Sequence, residues 1–343
     1  MKLSHAGLIY DMISKGYISV HKHPEFDLYI FNYTKQASAE KVWNVATEMC
    51  RGIICDKELN VVSRPFEKFY NYEELIQQGV SIPNLPFEIY EKLDGSLGIM
   101  YFHDGIPYIA TRGSFDSSQA KHATEILHSR YADKFCMLDR SKTYLFEIIY
   151  KDRMTPLVVN YGDTDDIFLI AVIDTDTGKE DDIYDYKHIF KTTTKYDNVK
   201  DYLTFRKSQD GKNREGFVIK FSNGFRMKLK FEEYFKAHSA QFHLNIKQAY
   251  KAIKNGTVDK VKAFIEKNLS EESSLYFDEL VNEVYSKYKE IEDICKFEFR
   301  SDFNSRADAA QYFKQCKFQN ILFSMYNKKD YSSIIWKLVE KSL

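Results

Sequence analysis

The chain has little of what would mark it as exported, membrane-spanning or disordered. Among 343 residues there are only 6 prolines, 14 glycines and 2 tryptophans, too few for a fibrous or low-complexity chain. Nowhere do 18 uncharged apolar residues run together, so no spanning helix is expected, and Met1 to Tyr10 holds no apolar run of signal-peptide length. The five cysteines (Cys50, Cys55, Cys136, Cys295, Cys316) are odd in number and scattered, with no C-x-x-C. That pattern excludes a disulfide framework and a zinc ribbon, and points to reduced thiols in a cytoplasmic compartment. Neither sign of charge dominates, with 49 basic and 50 acidic residues. A polyanion would therefore be met by a local basic groove and not by a global field.

What is abundant is aromatic: 25 Tyr and 26 Phe in a chain 44% hydrophobic and 29% charged. This is a folded protein, long enough for two domains with separate cores. Residues 1–16 read as a short helix closed by Gly16, Asp27–Thr34 as the first strand, and residues 38–49 as a helix. His21 and His23 fall in a Pro-containing loop and lack a third metal ligand. Strands are expected at Arg51–Asp56, on either side of His103-Asp104-Gly105, at Tyr144–Tyr150 with Glu147 inside it, and in the apolar run Ile167–Ile173. From Phe235 onward two-residue alternation stops. Helical patterns then run through about 235–255, 258–268, 275–299, 306–316 and 318–326, with a last one ending near Ser342. Gly256 and the Ser305-x-x-Asp308 box mark boundaries, and Asp259 opens one helix as an expected N-cap.

The chemistry-bearing stretch is Tyr90-Glu91-Lys92-Leu93-Asp94-Gly95-Ser96-Leu97. It ends an apolar alternation with a lysine and an Asp-Gly turn. A lysine so placed is a nucleophile if its surroundings lower its pKa from about 10.4; otherwise it is an exposed turn residue. Downstream, two alternating runs meet at Asn223-Gly224, the signal for a two-residue turn. Pairing 222 with 225 places Ile219 opposite Lys228, Phe217 opposite Lys230 and Glu215 opposite Glu232. Glu215, Lys228 and Lys230 would then line one wall, with Val218, Met227, Leu229 and Phe231 in the core. Taken alone, those lysines could be a solvated face.

Together these residues resemble the covalent nucleotidyltransferases, which include DNA ligases, RNA ligases and capping enzymes: K-x-D-G at Lys92, F-E at Glu147, E-G at Glu215, and K-x-K at Lys228 and Lys230. Within that superfamily the chain is most similar to the bacteriophage RNA ligase 1 family. Cys50-Arg51-Gly52-Ile53 and Ser63-Arg64-Pro65-Phe66-Glu67-Lys68-Phe69-Tyr70-Asn71 add to the likeness, which covers about 30–240. Arg112 stands where lysine is expected, and Leu93 where an acid is.

The resemblance implies an α+β fold. An adenylyltransferase domain over 1–240, with ATP-grasp-like antiparallel sheets and flanking helices, would precede an all-α domain over 241–343 that chooses the RNA substrate. It implies ATP and Mg²⁺ or Mn²⁺ as cofactors, with Lys92 as the AMP acceptor, Lys228 and Lys230 at the α-phosphate, and Glu147 at the ribose. Tyr33, Arg51, Lys68, Tyr70, Gly95 and Arg112 would complete the nucleotide contacts. Glu215 would bind the metal, and Asp259 is a second candidate ligand. The implied function is ATP-dependent joining of RNA 5′-phosphate and 3′-OH ends in the host cytoplasm. A cleaved tRNA anticodon loop is the expected substrate, a polynucleotide kinase-phosphatase the working partner, and a monomer the acting form, with no membrane involved. The alternatives are a non-catalytic RNA-binding module of the same fold, which loss of Lys92, Glu215 or Lys230 would favour, and a DNA ligase, which the helical tail in place of a β-barrel disfavours.

Overall fold

The computed structural model describes residues 2–150, 157–235, 244–268 and 271–343, in two compact units, Met1–Tyr234 and Phe235–Leu343. The strands of the first unit are, in order, β1 (Ile18–Lys22), β2 (Leu28–Tyr33), β3 (Arg51–Asp56), β4 (Val61–Ser63), β5 (Tyr70–Asn71), β6 (Phe87–Lys92), β7 (Ser96–His103), β8 (Ile106–Thr111), β9 (Lys142–Ile149), β10 (Asp166–Asp174), β11 (Lys195–Tyr196), β12 (Gly216–Phe221) and β13 (Arg226–Lys230). They form three sheets ordered β1-β2-β3-β4, β10-β9-β7-β8 and β11-β6-β12-β13-β5. Every ladder is antiparallel except β13 with β5.

Alternation decides which faces meet. Ile30 and Ile54 of the first sheet pack on Ile99, Tyr101 and Leu145 of the second. The other face of the second sheet takes Ala123, Ile126 and Leu127 from the helix Ser118–Arg130, capped by the Ser117 side chain. In the third sheet Phe217, Ile219, Phe221, Met227 and Leu229 form the core.

Three expectations are corrected. A strand, β1, precedes the expected first one, and His21 lies in it, paired with Ile30. His23 is buried, its Nδ1 accepting from the Glu25 and Phe26 backbone N–H groups and its Nε2 3.0 Å from the Tyr101 hydroxyl. The single helix expected over 38–49 is two short ones, Lys35–Ala39 and Val45–Met49. Asn44 caps the second, its side chain accepting from Ala46 and Thr47 N–H, so the chain must leave helical geometry there.

The third correction is the hairpin register. The Phe221 and Phe225 backbones pair, and Ser222-Asn223-Gly224 forms a three-residue loop with Gly224 at φ +86°. Asn223 has no positive φ, which a two-residue type I′ turn would need. Gly216 therefore faces Lys230, Val218 faces Lys228 and Phe217 faces Leu229. Phe217 and Ile219 replace Val218 in the core.

In the second unit, helices at Ile246–Lys254, Val258–Asn268, Glu271–Glu298, Arg306–Phe313, Gln319–Tyr326 and Ser332–Ser342 enclose a core that includes Phe277, Val284, Phe313, Leu322 and Ile335. The Ser305 side chain accepts from Asp308 N–H, capping its helix. Residues 236–243, within the helix expected over 235–255, lie outside the described residues. No helix among the described residues is long and apolar enough to cross a membrane.

Candidate active site

Two neighbouring ladders build the floor of the site. Gly216 in β12 pairs with Lys92 of β6 on one side and Lys230 of β13 on the other, so the three lie in one row across the sheet. The next row is Tyr90, Val218 and Lys228. Gly216, at φ +146°, has no room for a side chain, since a Cβ would meet the Leu229 carbonyl oxygen at 2.4 Å. Its conformation turns the chain so that Glu215 enters between the two lysines despite the odd numbering it shares with the core residues. Glu215 accepts from Lys92 Nζ at 2.8 Å and from Lys230 Nζ at 2.7 Å.

Above this floor lies a cleft of about 580 Å³ lined by all three sheets. The second sheet contributes Glu147, whose Oε1 accepts from Gly95 N–H at 3.0 Å. A Cβ on Gly95 would meet the Ile148 carbonyl oxygen at 2.4 Å, so the turn closes this tightly only with glycine. Asp94 points away from the cleft floor: its Oδ2 accepts from Val158 and Val159 N–H, and its Oδ1 from the Tyr234 hydroxyl at 2.8 Å. The K-x-D-G aspartate thus anchors the turn. The first sheet contributes Arg51, and the end of β8 contributes Arg112, which donates to the Tyr33 hydroxyl at 2.9 Å. Lys68 and Tyr70 face a neighbouring cleft, where the Lys68 ammonium lies 4.1 Å from the Tyr70 ring centre and 4.3 Å from that of Trp43.

The charges sort the lysines. Burial works to lower the Lys92 pKa, but the Glu215 and Glu147 carboxylates outweigh it and hold the group above its ordinary value. The lowered pKa that a nucleophilic lysine needs is therefore not that of the resting state, and Lys92 is half-buried in the ion pair, not exposed on a turn. Lys228 is the depressed one. Burial, followed by the nearby charges of Arg51, Lys92, Lys68 and Lys230, pulls it well below the ordinary lysine value, and no described carboxylate pairs with it. Burial also works to raise Glu215, yet Lys92 and Lys230 hold it low. Burial pushes Glu147 up to about 7, with Lys92 opposing and Glu215 and Asp94 adding to the rise.

Two side chains missed in the sequence hold this arrangement. Arg214 makes a bidentate pair with Glu91, at 3.0 and 2.7 Å, tying the residue before Glu215 to the residue before Lys92. Their adjacency to both motifs was the available signal. One nitrogen of Arg51 is buried without a hydrogen-bond partner among the described residues. With Lys228 it forms a desolvated, uncompensated cationic corner, the environment an anion such as phosphate satisfies.

A divalent cation is served differently. No group of three or more His, Cys, Asp or Glu side chains positioned to hold a metal occurs among the described residues. Glu215 alone fits, because Mg²⁺ is commonly held by one or two carboxylates together with substrate phosphates. Asp259 is exposed in the second unit and stands within the first turn of Val258–Asn268, not at the N-cap.

A family model described as RNA ligase matches residues 49–235, more than half of the chain. A protein of Autographa californica nuclear polyhedrosis virus, named as a bifunctional polynucleotide kinase/RNA ligase, is 25% identical over 68% of this chain and 37% of its own length. An RNA ligase of Rhodothermus phage RM378 is 28% identical over 45% of this chain and 42% of its own. The chain thus spans about two fifths of the length of these curated relatives. A solved Aquifex aeolicus protein named as an ATP-dependent DNA ligase shares the fold, with a TM-score of 0.52 and 12% identity over 84% of this chain and 80% of that one.

Proposed function

The chain belongs to the bacteriophage RNA ligase family, and from that premise we propose that it is an ATP-dependent ligase joining RNA 5′-phosphate and 3′-OH ends through AMP carried on Lys92. The observation that carries the reading is the bridge Lys92–Glu215–Lys230 beside the uncompensated pair Arg51 and Lys228. It sets a nucleophile against a pocket for phosphate.

In the resting cleft Glu215 keeps Lys92 protonated, so attack on the α-phosphorus requires that proton to leave. When bound to Glu215 and the nucleotide phosphates, a divalent cation would supply charge neutralisation at the reacting phosphate. Burial favours the neutral amine while the Glu215 and Glu147 carboxylates oppose it, so a weakened Lys92–Glu215 contact is what frees the amine. Lys228, Lys230 and Arg51 neutralise charge on the equatorial oxygens and the departing pyrophosphate. Glu147 and Gly95 fix the turn that carries Lys92, and the Glu147 carboxyl would take a ribose hydroxyl. The RNA 5′-phosphate then takes AMP from Lys92, and a 3′-OH displaces AMP.

Mixing the protein with ATP labelled at the α-phosphate tests this. A covalent label that Lys92→Ala abolishes is expected; an unlabelled wild type, or a labelled Lys92→Ala protein, overturns the reading. A broken tRNA loop as substrate, selected by residues 241–343, and ends prepared by a kinase-phosphatase are parts of the same proposal. The naming of a viral relative for both kinase and ligase supports the pairing.

A further inference from the structure

Beside the nucleotide cleft lies a second, of about 750 Å³, which shares Phe66, Phe69, Glu180 and Arg226 with it. We propose that this second cleft seats the 5′-terminal nucleotide of the RNA that accepts AMP, with Trp43 as its stacking face. The inference rests on the Lys92 transfer reading above.

Reaction geometry gives the direction. When Lys92 Nζ attacks the α-phosphorus, pyrophosphate departs from the opposite apex. In the next step an oxygen of the RNA 5′-phosphate forms a P–O bond to the same phosphorus. The P–N bond to Lys92 breaks, and the nitrogen takes up a proton as it leaves as an amine. The attacking phosphate must therefore arrive where pyrophosphate left, and the nucleotide it belongs to lies further out in that direction.

The cations mark that path. Lys92 and Lys230 share Glu215; Lys228 lies within electrostatic reach of both, and also of Arg51 and Lys68. Lys228 pairs with Asn71 across the β13–β5 ladder, beside Tyr70. Tyr70 and Trp43 flank the Lys68 ammonium at 4.1 and 4.3 Å, and both rings line the second cleft. The row of positive charge thus runs out of the reaction cleft and ends at two aromatic rings, the pairing that holds single-stranded nucleic acid by backbone charge and base stacking.

The acids in this cleft offset that charge only in part, since Lys41, Arg64, Lys68 and Arg226 line it against Glu48, Glu67 and Glu180. Glu48 accepts from the Tyr70 hydroxyl at 2.5 Å, Glu180 is held by Arg226 at 2.7 Å and Lys220 at 3.1 Å, and Glu67 is exposed. Lys41, held at φ +54° two residues before Trp43, adds an exposed cation to the lining.

Only two tryptophans are present, Trp43 and Trp336, so fluorescence can report on the cleft directly. Titrating full-length protein with a short 5′-phosphorylated oligoadenylate should quench emission in wild type and leave a Trp43→Phe protein, which retains Trp336, unquenched. Equal quenching by the 5′-OH oligonucleotide would overturn the assignment to the phosphorylated end. In single-turnover transfer from pre-adenylylated protein, Trp43→Ala and the surface variant Lys41→Glu should each raise the RNA concentration for half-maximal rate. For Trp43→Ala the rise should be about ten-fold, the loss of one stacked base. Label uptake from ATP should stay at the wild-type rate in both. If both variants take label normally and pass AMP to RNA with unchanged concentration dependence, the second cleft is not the RNA site and the ligase reading survives. If wild type takes no label at all, the ligase reading itself has failed.

Discussion

The two units differ in what they bury. In Met1–Tyr234 the buried polar and charged residues include His23, Asp94, Asp166 and Glu215, whereas every residue of Phe235–Leu343 identified as buried is apolar. A helical core of Phe277, Val284 and Phe313 needs nothing but burial to hold it. Buried charges cost several kcal/mol each unless paired; Asp166 is held by Lys191 and Tyr131 and His23 by the Tyr101 hydroxyl elsewhere in the first unit, whereas Asp94 and Glu215 stand at the reaction cleft. That cost is the mark of a site whose charges are there for a ligand. The difference accords with the proposal that the chemistry belongs to the first unit, and four measurements can break or sharpen the comparison.

The largest effect should come from Glu215. Glu215→Gln leaves Lys92 and Lys230 with no carboxylate bridging them. Lys92–AMP formation should fall by orders of magnitude, because the charge arrangement at the reacting phosphate is lost. Stability should fall by roughly 3 kcal/mol, the cost of breaking a buried ion pair, measured by urea unfolding. A variant of normal rate and stability would mean that the pair contributes to neither chemistry nor folding. Lys92→Ala should be milder for folding, since Glu215 keeps Lys230.

Glu147 tests charge burial through pH. Its folded pKa, about 7, lies above its ordinary value of 4.5, so the unfolded chain binds fewer protons than the native one between those values. The contribution is fully present below pH 4.5 and is lost as pH rises through about 7, up to about 3 kcal/mol by linkage. Glu147→Gln mimics the neutral carboxyl and should remove that loss, seen as a flatter dependence of the urea midpoint on pH. Parallel profiles for wild type and variant would show that the carboxyl is not shifted.

Tyr234 should matter less. Its hydroxyl donates to Asp94 at 2.8 Å and its ring lies 4.7 Å from Lys230 Nζ. Tyr234→Phe keeps the ring and removes one donor to a charged group that retains two backbone N–H bonds. About 1–2 kcal/mol of stability should go, with a modest fall in adenylylation rate. An unchanged urea midpoint would remove Tyr234 from the turn's support.

How much of this the sequence shows depends on the range of the interaction. Local patterns identified β6, β7, β8 and the helices after Gly256, because side-chain period and turn chemistry are written in neighbouring residues. The Asn223-Gly224 turn was legible as a turn, but not its length, since a glycine at positive φ suits both two- and three-residue loops. That one-residue difference exchanges Val218 for Phe217 in the core. Lys228 and Lys230 line the cleft with Glu215, which pairs with Lys230 but not Lys228, and Glu215 is there only because Gly216 adopts a backbone conformation that no pattern announces. Which lysine is held protonated was not legible, for it depends on Glu215 and Glu147 arriving from distant strands. The K-x-D-G aspartate reads as part of the chemistry, yet Val158, Val159 and Tyr234 engage both its oxygens.

The smallest effect on the chemistry should come from the largest deletion. The residues that surround Lys92 all precede Tyr234, and the second unit has a core of its own. A chain ending near residue 240 should thus fold and take label from ATP at a rate within about two-fold of the full chain, because sites with no shared partners behave additively. Its sealing of linear RNA should persist, whereas its preference for a nicked tRNA-like stem-loop over a linear strand should disappear. The helical unit carries no base-reading motif, and its contribution would be contact with folded RNA through shape and phosphate. Competition between the two substrates, run on the full and shortened proteins, reads that ratio directly. An unchanged ratio would assign substrate choice to the first unit, and a loss of labelling on truncation would show that the division of labour drawn from buried charge is wrong.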